Sequence, residues 1–191
     1  MNDEKYVIGV DCGTTNVKAV AYNLIGDEVS VSSSPNQVIQ YNGICNEQDM
    51  EALWKSCASC IKTLLEENPF LEGKIEAIGV SGQGEGLWVL DKEGKPFMNA
   101  ILWNDGRAYP TTDALKANNE LYVKIKKSNA TYLKNGSTLS ILKYVFDNDR
   151  NSYDKIGYIF SCKDWIRYRL TGNINWEYTD ASCSCIEIEK K

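Results

Sequence analysis

Three short β-rich runs at the start of the chain limit its fold more than any other feature. They occupy residues 6–11, 17–22 and 28–33, and only five residues separate each run from the next. Connections this short can join antiparallel neighbours, but they leave no room for the crossover that parallel strands need. The first 33 residues therefore predict an antiparallel three-strand meander.

Helical and strand patterns alternate beyond the meander. Residues 47–67 repeat apolar side chains at three- and four-residue steps, which predicts an amphipathic helix with Asn46 as its N-cap. The run at 75–81 is entered from this helix, so we predict a buried strand parallel to the first strand. The apolar stripe of the helix consists of Met50, Leu53, Trp54, Cys57, Ile61, Leu64 and Leu65.

The rest of the chain continues in the same α/β manner. Residues 111–150 are predicted to be mostly helical with a break near Asn135 and Gly136, and further elements are a helix at 164–170 and strands at 87–90, 100–103, 156–160 and 184–188. The fold class is therefore α/β, a mixed sheet with an antiparallel three-strand start and flanking helices. This is the element order of the ribonuclease-H-like, actin-like ATPase domain.

Composition excludes several classes of function. A net charge of −5 provides no basic field for nucleic acid, and no apolar run is long enough to cross a membrane. The first residues are polar, so a cytoplasmic protein is expected.

Seven cysteines in such a protein are expected to be small buried side chains, not disulfides. Because the chain has no histidine, a general base must be a carboxylate, a lysine or a tyrosine.

The turn between the first two strands is a candidate phosphate hairpin. Asp11 ends a buried strand and is predicted to meet a hydrated Mg²⁺, since this ion keeps several waters and takes only one or two carboxylates plus phosphate oxygens. Gly13 lets the backbone approach a ligand, and the following residues offer N–H groups to phosphate oxygens. The alternative is an ordinary turn in which Asp11 bonds its own loop. The phosphate-binding candidates are Gly13, Thr14, Thr15, Asn16 and Lys18.

Two later segments are candidates for a sugar pocket. Glycines at 82, 84 and 86 surround Gln83 and Glu85, whose side chains can bond hydroxyls. Trp103 can cover the apolar face of a sugar, and polar residues follow it. The alternatives are a flexible surface loop for the first segment and, for the second, a buried Trp beside an Asp105–Arg107 ion pair. The pocket candidates are Gln83, Gly84, Glu85, Trp103, Asn104 and Asp105.

Four stretches occur in the order of one known family, and together they cover nearly the whole chain. They are IGVDCGTT at 8–15, GVSGQGEGL at 79–87, AILWNDGRA at 100–108, and KDWIRYRLTG at 163–172 followed by TDAS at 179–182. The chain thereby resembles the FGGY carbohydrate kinases. The resemblance implies that residues 1–191 form the N-terminal, sugar-binding domain, incomplete at its C-terminal end. It also implies that the ATP-binding second domain and the catalytic Asp lie outside this chain.

The resemblance further implies that ATP and Mg²⁺ act at Asp11 and the phosphate hairpin, and that a sugar or polyol lies against 83–85 and 103–105. At Gly84 and Glu85 the chain departs from xylulokinases. Glu85 matches the glutamate of glycerol kinases, but Gly84 stands where those have an arginine, and this combination favours a branch acting on L-xylulose, erythritol or a similar polyol. Members are often dimers, so a homodimer is one expected assembly. A sugar-sensing or partner-binding module without catalysis is the alternative function.

Overall fold

A four-stranded mixed sheet forms the centre of the fold. The computed structural model describes residues 4–128 and 132–184. The strands of the sheet are β1 (Tyr6–Cys12), β2 (Asn16–Asn23), β3 (Glu28–Pro35) and, after two shorter strands, β6 (Ile75–Gly82). Their order is β3-β2-β1-β6, with β1–β2 and β2–β3 antiparallel and β1–β6 parallel. The predicted antiparallel start and the parallel fourth strand are confirmed.

Helix α1 (Met50–Glu67) covers one face of this sheet. Its buried stripe faces the inward side chains of β1 and β2, and each fully buried Leu contributes about 1.5–3 kcal/mol to stability. The predicted apolar pattern of the helix is therefore confirmed. The buried residues of α1 are Met50, Leu53, Cys57, Cys60 and Leu64.

The predicted start of α1 is wrong by several residues. Asn46 lies in strand β5 (Cys45–Gln48), which pairs with β4 (Ile39–Tyr41) on one side and β8 (Ala100–Ile101) on the other. Because these ladders use the backbone up to Gln48, the helix begins only afterwards. Asp49 is the N-cap, and its carboxylate accepts a hydrogen bond from the Ala52 N–H at 2.9 Å.

Strand β6 is more exposed than the sequence predicted. Its side chains are mostly open to solvent, and Ile78 is 41% exposed. Among the described residues only β1 pairs with β6, so β6 is an edge strand and its outward face is uncovered. The prediction of a buried strand here is wrong, although its parallel direction is right.

The remaining elements pack around this centre. Strands β7 (Trp88–Leu90) and β9 (Tyr158–Phe160) form a two-stranded antiparallel ladder. The predicted break near Asn135 and Gly136 is confirmed, because it falls between two helices. Gly172, at a φ of 74°, ends the helix predicted at 164–170. The helices are α2 (Tyr109–Ala117), α3 (Asn119–Ser128), α4 (Thr138–Asn148), α5 (Arg150–Lys155), α6 (Cys162–Thr171) and α7 (Tyr178–Cys183), with a short 3₁₀ helix at Pro69–Leu71.

Only one residue of the strand predicted at 184–188, Ser184, is described, and it does not lie in a strand. Cys183 ends α7 and Ser184 is its C-cap, whereas 185–188 lie outside the described residues. The six described cysteines are free, and the prediction of small buried side chains is confirmed for five of them, whereas Cys183 is only half-buried and Cys185 lies outside the described residues. Across residues 4–128 and 132–184, no helix has the length and apolar character of a membrane span.

Candidate functional site

The sheet topology brings the two predicted segments together. Asp11 pairs in register with Lys18 on β2 and with Ser81 on β6. Because β1 and β6 are parallel, their carboxyl ends lie at the same edge, so the hairpin after β1 and the segment after β6 are neighbours. A backbone hydrogen bond from Gln83 N–H to the Cys12 carbonyl, at 3.1 Å, joins them directly.

A cleft of about 580 Å³ opens at this edge. Asp11, Gln83 and Trp103 all line it, so the hairpin and both pocket segments face one open space. Had these side chains lain on opposite surfaces, one phosphotransfer site could not have contained them. The lining residues are Asp11, Gly13, Thr14, Gly82, Gln83, Gly84, Glu85, Trp103, Lys134, Asp180 and Cys183.

Five of the predicted site residues do not line this cleft. Lys18 instead borders a second groove of about 630 Å³ on the uncovered face of the sheet, a groove that Asp11 also reaches. Of the other four, three are exposed and adjacent in sequence to residues of the hairpin and of the Trp103 loop, whereas Asp105 is buried. The five are Thr15, Asn16, Lys18, Asn104 and Asp105.

Hydrogen bonds connect the hairpin to both pocket segments. The Thr14 hydroxyl donates to Gln83 Oε1 at 3.2 Å, and the indole Nε1–H of Trp103 donates to Thr14 Oγ1 at 3.2 Å. Trp103 is 49% exposed, so its ring is held at the cleft without being buried. The alternative of a buried Trp at this position is therefore excluded.

Glu85 is held in an uncommon backbone conformation. Its φ of 57° is in the left-handed region, which few residues other than glycine adopt. Its carboxylate lies 3.7 Å from Lys134 Nζ and accepts a hydrogen bond from the Ser137 hydroxyl at 3.4 Å. Gly86 follows at a φ of 75°, and a side chain there would come within 2.6 Å of the Ile101 carbonyl oxygen. The strained turn directs Glu85 towards the cleft.

Asp105 has a different environment, because protein donors surround its carboxylate. It is 2% exposed and accepts hydrogen bonds from the backbone N–H groups of Asn46 (2.7 Å) and Arg107 (2.8 Å). Arg107 Nε also donates to it at 2.9 Å. The structure thus contains the Asp105–Arg107 ion pair that one interpretation of the sequence expected.

Arg107 joins Asp105 to a second carboxylate, that of the half-buried Glu47. Its Nη2 donates to Glu47 Oε1 at 2.8 Å. Burial alone would lower the pKa of Arg107, but the hydrogen bonds with Asp105 and Glu47 outweigh it and raise the pKa above its ordinary value. Burial alone would likewise raise the pKa of Glu47, yet hydrogen bonds from Tyr41, Arg107 and Asn99 hold it below its usual range. Glu47 and Arg107 therefore keep their opposite charges at neutral pH, and the network fixes the loop that carries Trp103.

The structure adds charged residues that sequence reasoning missed. Asp180 lines the cleft, where its Oδ1 would lie 3.5 Å from a side-chain carbon at position 84, and Lys163 Nζ lies 3.3 Å from its Oδ2. The same ammonium lies 2.8 Å from Glu177 and lowers the pKa of Glu177 to about 2. The run TDAS signalled Asp180, but no pattern signalled Lys134.

The residues at Asp11 fit a magnesium ion shared with phosphate. Within the described chain, no hydrogen bond or ion pair engages the Asp11 carboxylate, so its oxygens are available. No three His, Cys, Asp or Glu side chains of those residues gather where they could hold a metal by themselves. Mg²⁺ commonly takes one or two carboxylates and completes its shell with water and phosphate oxygens. The available oxygens of Asp11 are compatible with an ion shared in this way.

Comparison with known proteins identifies the family. The description "FGGY family of carbohydrate kinases, N-terminal domain" belongs to a family model that matches residues 6–189. The chain belongs to this family. It is 33% identical over 177 residues to the probable L-xylulose kinase of Haemophilus influenzae, a match that covers 93% of the chain. It is 35% identical over 178 residues to the xylulose kinase of Staphylococcus xylosus, again with 93% of the chain covered.

The solved structures agree with this FGGY assignment. The ligand-bound xylulose kinase of Lactobacillus acidophilus superposes with a TM-score of 0.87 at 26% identity, covering 95% of this chain and 36% of that one. The predicted actin-like ATPase fold is thereby confirmed. The chain spans 36% of the length of the two curated relatives, about a third.

Proposed function

We propose that the complete protein transfers the γ-phosphoryl group of MgATP to a hydroxyl of a pentulose or polyol. In this proposal the present chain provides the phosphate hairpin and the sugar pocket, and a second domain provides most of the nucleotide site. The observation that supports it best is the common cleft, in which Asp11 faces the same space as Gln83, Glu85 and Trp103.

The sugar is bound by three kinds of contact. Trp103 covers its C–H face, Glu85 accepts hydrogen bonds from its hydroxyls, and Gln83 both donates and accepts. Gly84 leaves room beside them, since its nearest side-chain neighbour, Asp180, stands at ordinary contact distance. This pocket suits L-xylulose, erythritol or a related polyol, as the Gly84 and Glu85 departures suggested. Asn104 and Asp105 shape the pocket from outside, through the loop that carries Trp103.

The phosphate groups of ATP lie against the hairpin. Backbone N–H groups near Gly13 and Thr14, which line the cleft, meet the transferred group, and Thr15 and Asn16 continue the hairpin outside the cleft wall. Lys18 adds a positive charge from the neighbouring groove that Asp11 also borders. Asp11 would hold Mg²⁺, which when bound would neutralise phosphate charge. The substrate hydroxyl loses its proton to an aspartate outside this chain, its oxygen forms the new P–O bond, and ADP leaves. Positioning and charge neutralisation supply most of the rate.

The free cysteines support the cytoplasm as the site of this reaction. Disulfides are rare where thiols are kept reduced, and all six described cysteines are unpaired. A homodimer remains our expected assembly for the complete protein.

The experiment measures ADP formation by the complete protein with ATP, Mg²⁺ and a panel of pentuloses and polyols. We expect one of these acceptors to be phosphorylated and Asp11→Asn to lower kcat by about 10²–10³-fold, because it removes the charge that holds the magnesium–phosphate group. Asp27→Asn is the matched control, since Asp27 lies on the turn between β2 and β3 and bonds only Asn23 there. Binding of a sugar without phosphorylation would favour the sensing module instead.

A further inference from the structure

Gln48 is a buried amide that no step so far has used. It is 1% exposed at the end of β5, immediately before the N-cap of α1, and it does not line the cleft. Its pairing with Ala100 on β8 fixes its backbone. A buried amide destabilises the fold unless its hydrogen bonds are made. If position 48 only had to fill space in the core, an apolar side chain would do so without this cost. The partners of Gln48 therefore indicate its role.

Gln48 lies at the inner end of a chain of hydrogen bonds that reaches the cleft. Its Oε1 accepts a hydrogen bond from Gln83 Nε2 at 2.8 Å, and its own Nε2 donates to the Gln37 carbonyl at 3.4 Å. Gln83 Oε1 accepts from the Thr14 hydroxyl, which accepts from the Trp103 indole. Four consecutive bonds thus run from the exposed Trp103 to a backbone carbonyl behind the sheet edge.

The two ends of this chain fix the direction of every bond in it. An indole N–H can only donate and a backbone carbonyl can only accept. The amide of Gln48 must therefore turn its oxygen to Gln83, and Gln83 must turn its oxygen to Thr14. The hydroxyl proton of Thr14 is consequently committed to Gln83. Towards the cleft this hydroxyl offers an acceptor lone pair, which suits a sugar hydroxyl and not a phosphate oxygen.

We infer that Gln48 is a positioning residue, which sets the orientation of the Gln83 amide and, through Thr14, the position of Trp103. It acts on the sugar pocket without touching the substrate. The effect on sugar affinity rests on the proposed function, whereas the effect on the orientation of Trp103 belongs to this chain alone. The two parts can therefore be tested separately.

The first test reads the position of Trp103 in the complete protein labelled with ¹⁵N-tryptophan. The indole resonance of Trp103 is assigned by its loss in Trp103→Phe. In Gln48→Met, which keeps side-chain length and removes both hydrogen bonds, we expect this resonance to shift and its proton to exchange with solvent about five times faster. Gln40→Met is the matched control, because exposed Gln40 bonds only Asn46 on the neighbouring strand. An unmoved Trp103 resonance in folded Gln48→Met overturns the inference.

A double-mutant cycle separates positioning from a merely structural effect. In a Gln83→Met background the chain of bonds is already broken, so adding Gln48→Met should change the Trp103 exchange rate by less than about twofold. If Gln48→Met has the same effect with and without Gln83, the side chain acts through general packing and the inference fails.

Gln48→Glu provides the conservative rescue. In either protonation state its carboxyl group offers Gln83 an acceptor oxygen, so the Trp103 resonance should stay near its wild-type position. This variant also decides the matter if Gln48→Met does not fold, since a displaced resonance in folded Gln48→Glu contradicts the inference.

Steady-state kinetics give the second readout. We expect Gln48→Met to raise the sugar KM about five- to tenfold with kcat within about twofold, the pattern of weakened substrate binding. Gln48→Glu should recover most of that loss, and an unchanged sugar KM in Gln48→Met overturns the effect on affinity. If the wild-type protein phosphorylates no sugar, the proposed function fails, and the tryptophan resonances still decide the role of Gln48.

Discussion

The segment after β6 and the loop after β8 each carry a carboxylate that sequence reasoning placed in the sugar pocket, yet their surroundings differ. Glu85 lines the cleft in a left-handed backbone conformation, with a hydrogen bond of 3.4 Å and an ammonium group at 3.7 Å. Asp105 is buried behind the cleft with shorter bonds to two backbone N–H groups and a guanidinium group. The donors already present decide which carboxylate has lone pairs left for a ligand.

Because of this difference, substitution of the two residues is expected to change different measured quantities. A carboxylate whose oxygens are filled by protein donors stabilises the fold, and its removal leaves those donors buried and unpaired. A carboxylate at a cleft that accepts few hydrogen bonds from the protein contributes little to stability. Its removal is expected to weaken substrate binding. Glu85 is therefore expected to affect catalysis, and Asp105 the free energy of unfolding.

The largest effect is expected for Asp105→Ala. Removing this carboxylate leaves the guanidinium group of Arg107 with only Glu47 and leaves the Asn46 N–H without a partner. We expect the free energy of unfolding to fall by about 3–5 kcal/mol, measured by denaturant titration of the complete protein. Asp154→Ala removes an exposed partner of Arg150 and should cost less than about 1 kcal/mol. Equal losses in the two variants would remove the distinction between the two carboxylates.

Glu85→Gln should have the next largest effect. This effect should appear in the kinetics and not in the free energy of unfolding. We expect kcat/KM for the sugar to fall about 10–100-fold, because a neutral amide accepts hydroxyl hydrogen bonds more weakly than a carboxylate. The free energy of unfolding should change by less than about 1 kcal/mol, since the amide oxygen can still accept the hydrogen bond from Ser137 and only the ion pair with the exposed Lys134 is lost. Glu93→Gln, on the exposed turn after β7, is the control. A large loss of stability with unchanged kinetics would assign Glu85 a structural role like that of Asp105.

The smallest effect concerns pH and the Glu47–Arg107 pair. Because the pKa of Glu47 is lower in the folded state than its ordinary value of 4.5, its contribution to stability is complete above that pH. The contribution is lost as the pH falls below 4.5 towards the folded value. Glu47→Gln should thus lose less stability than wild type when unfolding is measured from pH 7 to pH 3, at intervals of about half a unit. Parallel curves for the two proteins would contradict this linkage.

The order and direction of the main strands could be predicted because they depend on local patterns. Connections of five residues force antiparallel neighbours, and a helix between two strands favours a parallel pair. The exposure of β6 could not be predicted, since Ile78 and Val80 look the same whether or not another element covers them. The start of α1 was missed because residues 45–48 pair with strands distant in sequence, and such pairing leaves no periodic signal.

Some residues of the candidate site could be predicted because they lie at or just after the end of a predicted strand. Asp11 lies near the end of β1 and Gln83 follows β6, and the parallel pairing of these two strands places both at one edge, where Trp103, after β8, lines the same cleft. Lys134 and Gln48 were missed because their roles depend on which atoms they meet, and single residues between ordinary elements carry no pattern. The Asp105–Arg107 pair was one of the two interpretations of the sequence, but the hydrogen bond from the Asn46 N–H to Asp105 joins residues distant in the chain and could not be predicted.

Cys183 gives the cleft a site for chemical labelling. It borders the cleft, whereas the other five described cysteines are buried. Burial raises the pKa of the Cys60 and Cys162 thiols, which keeps them protonated and unreactive at neutral pH. With Cys185, which lies outside the described residues, replaced by serine, a maleimide dye will attach beside the cleft. Its fluorescence will then follow ligand entry in real time, with no enzymatic turnover required.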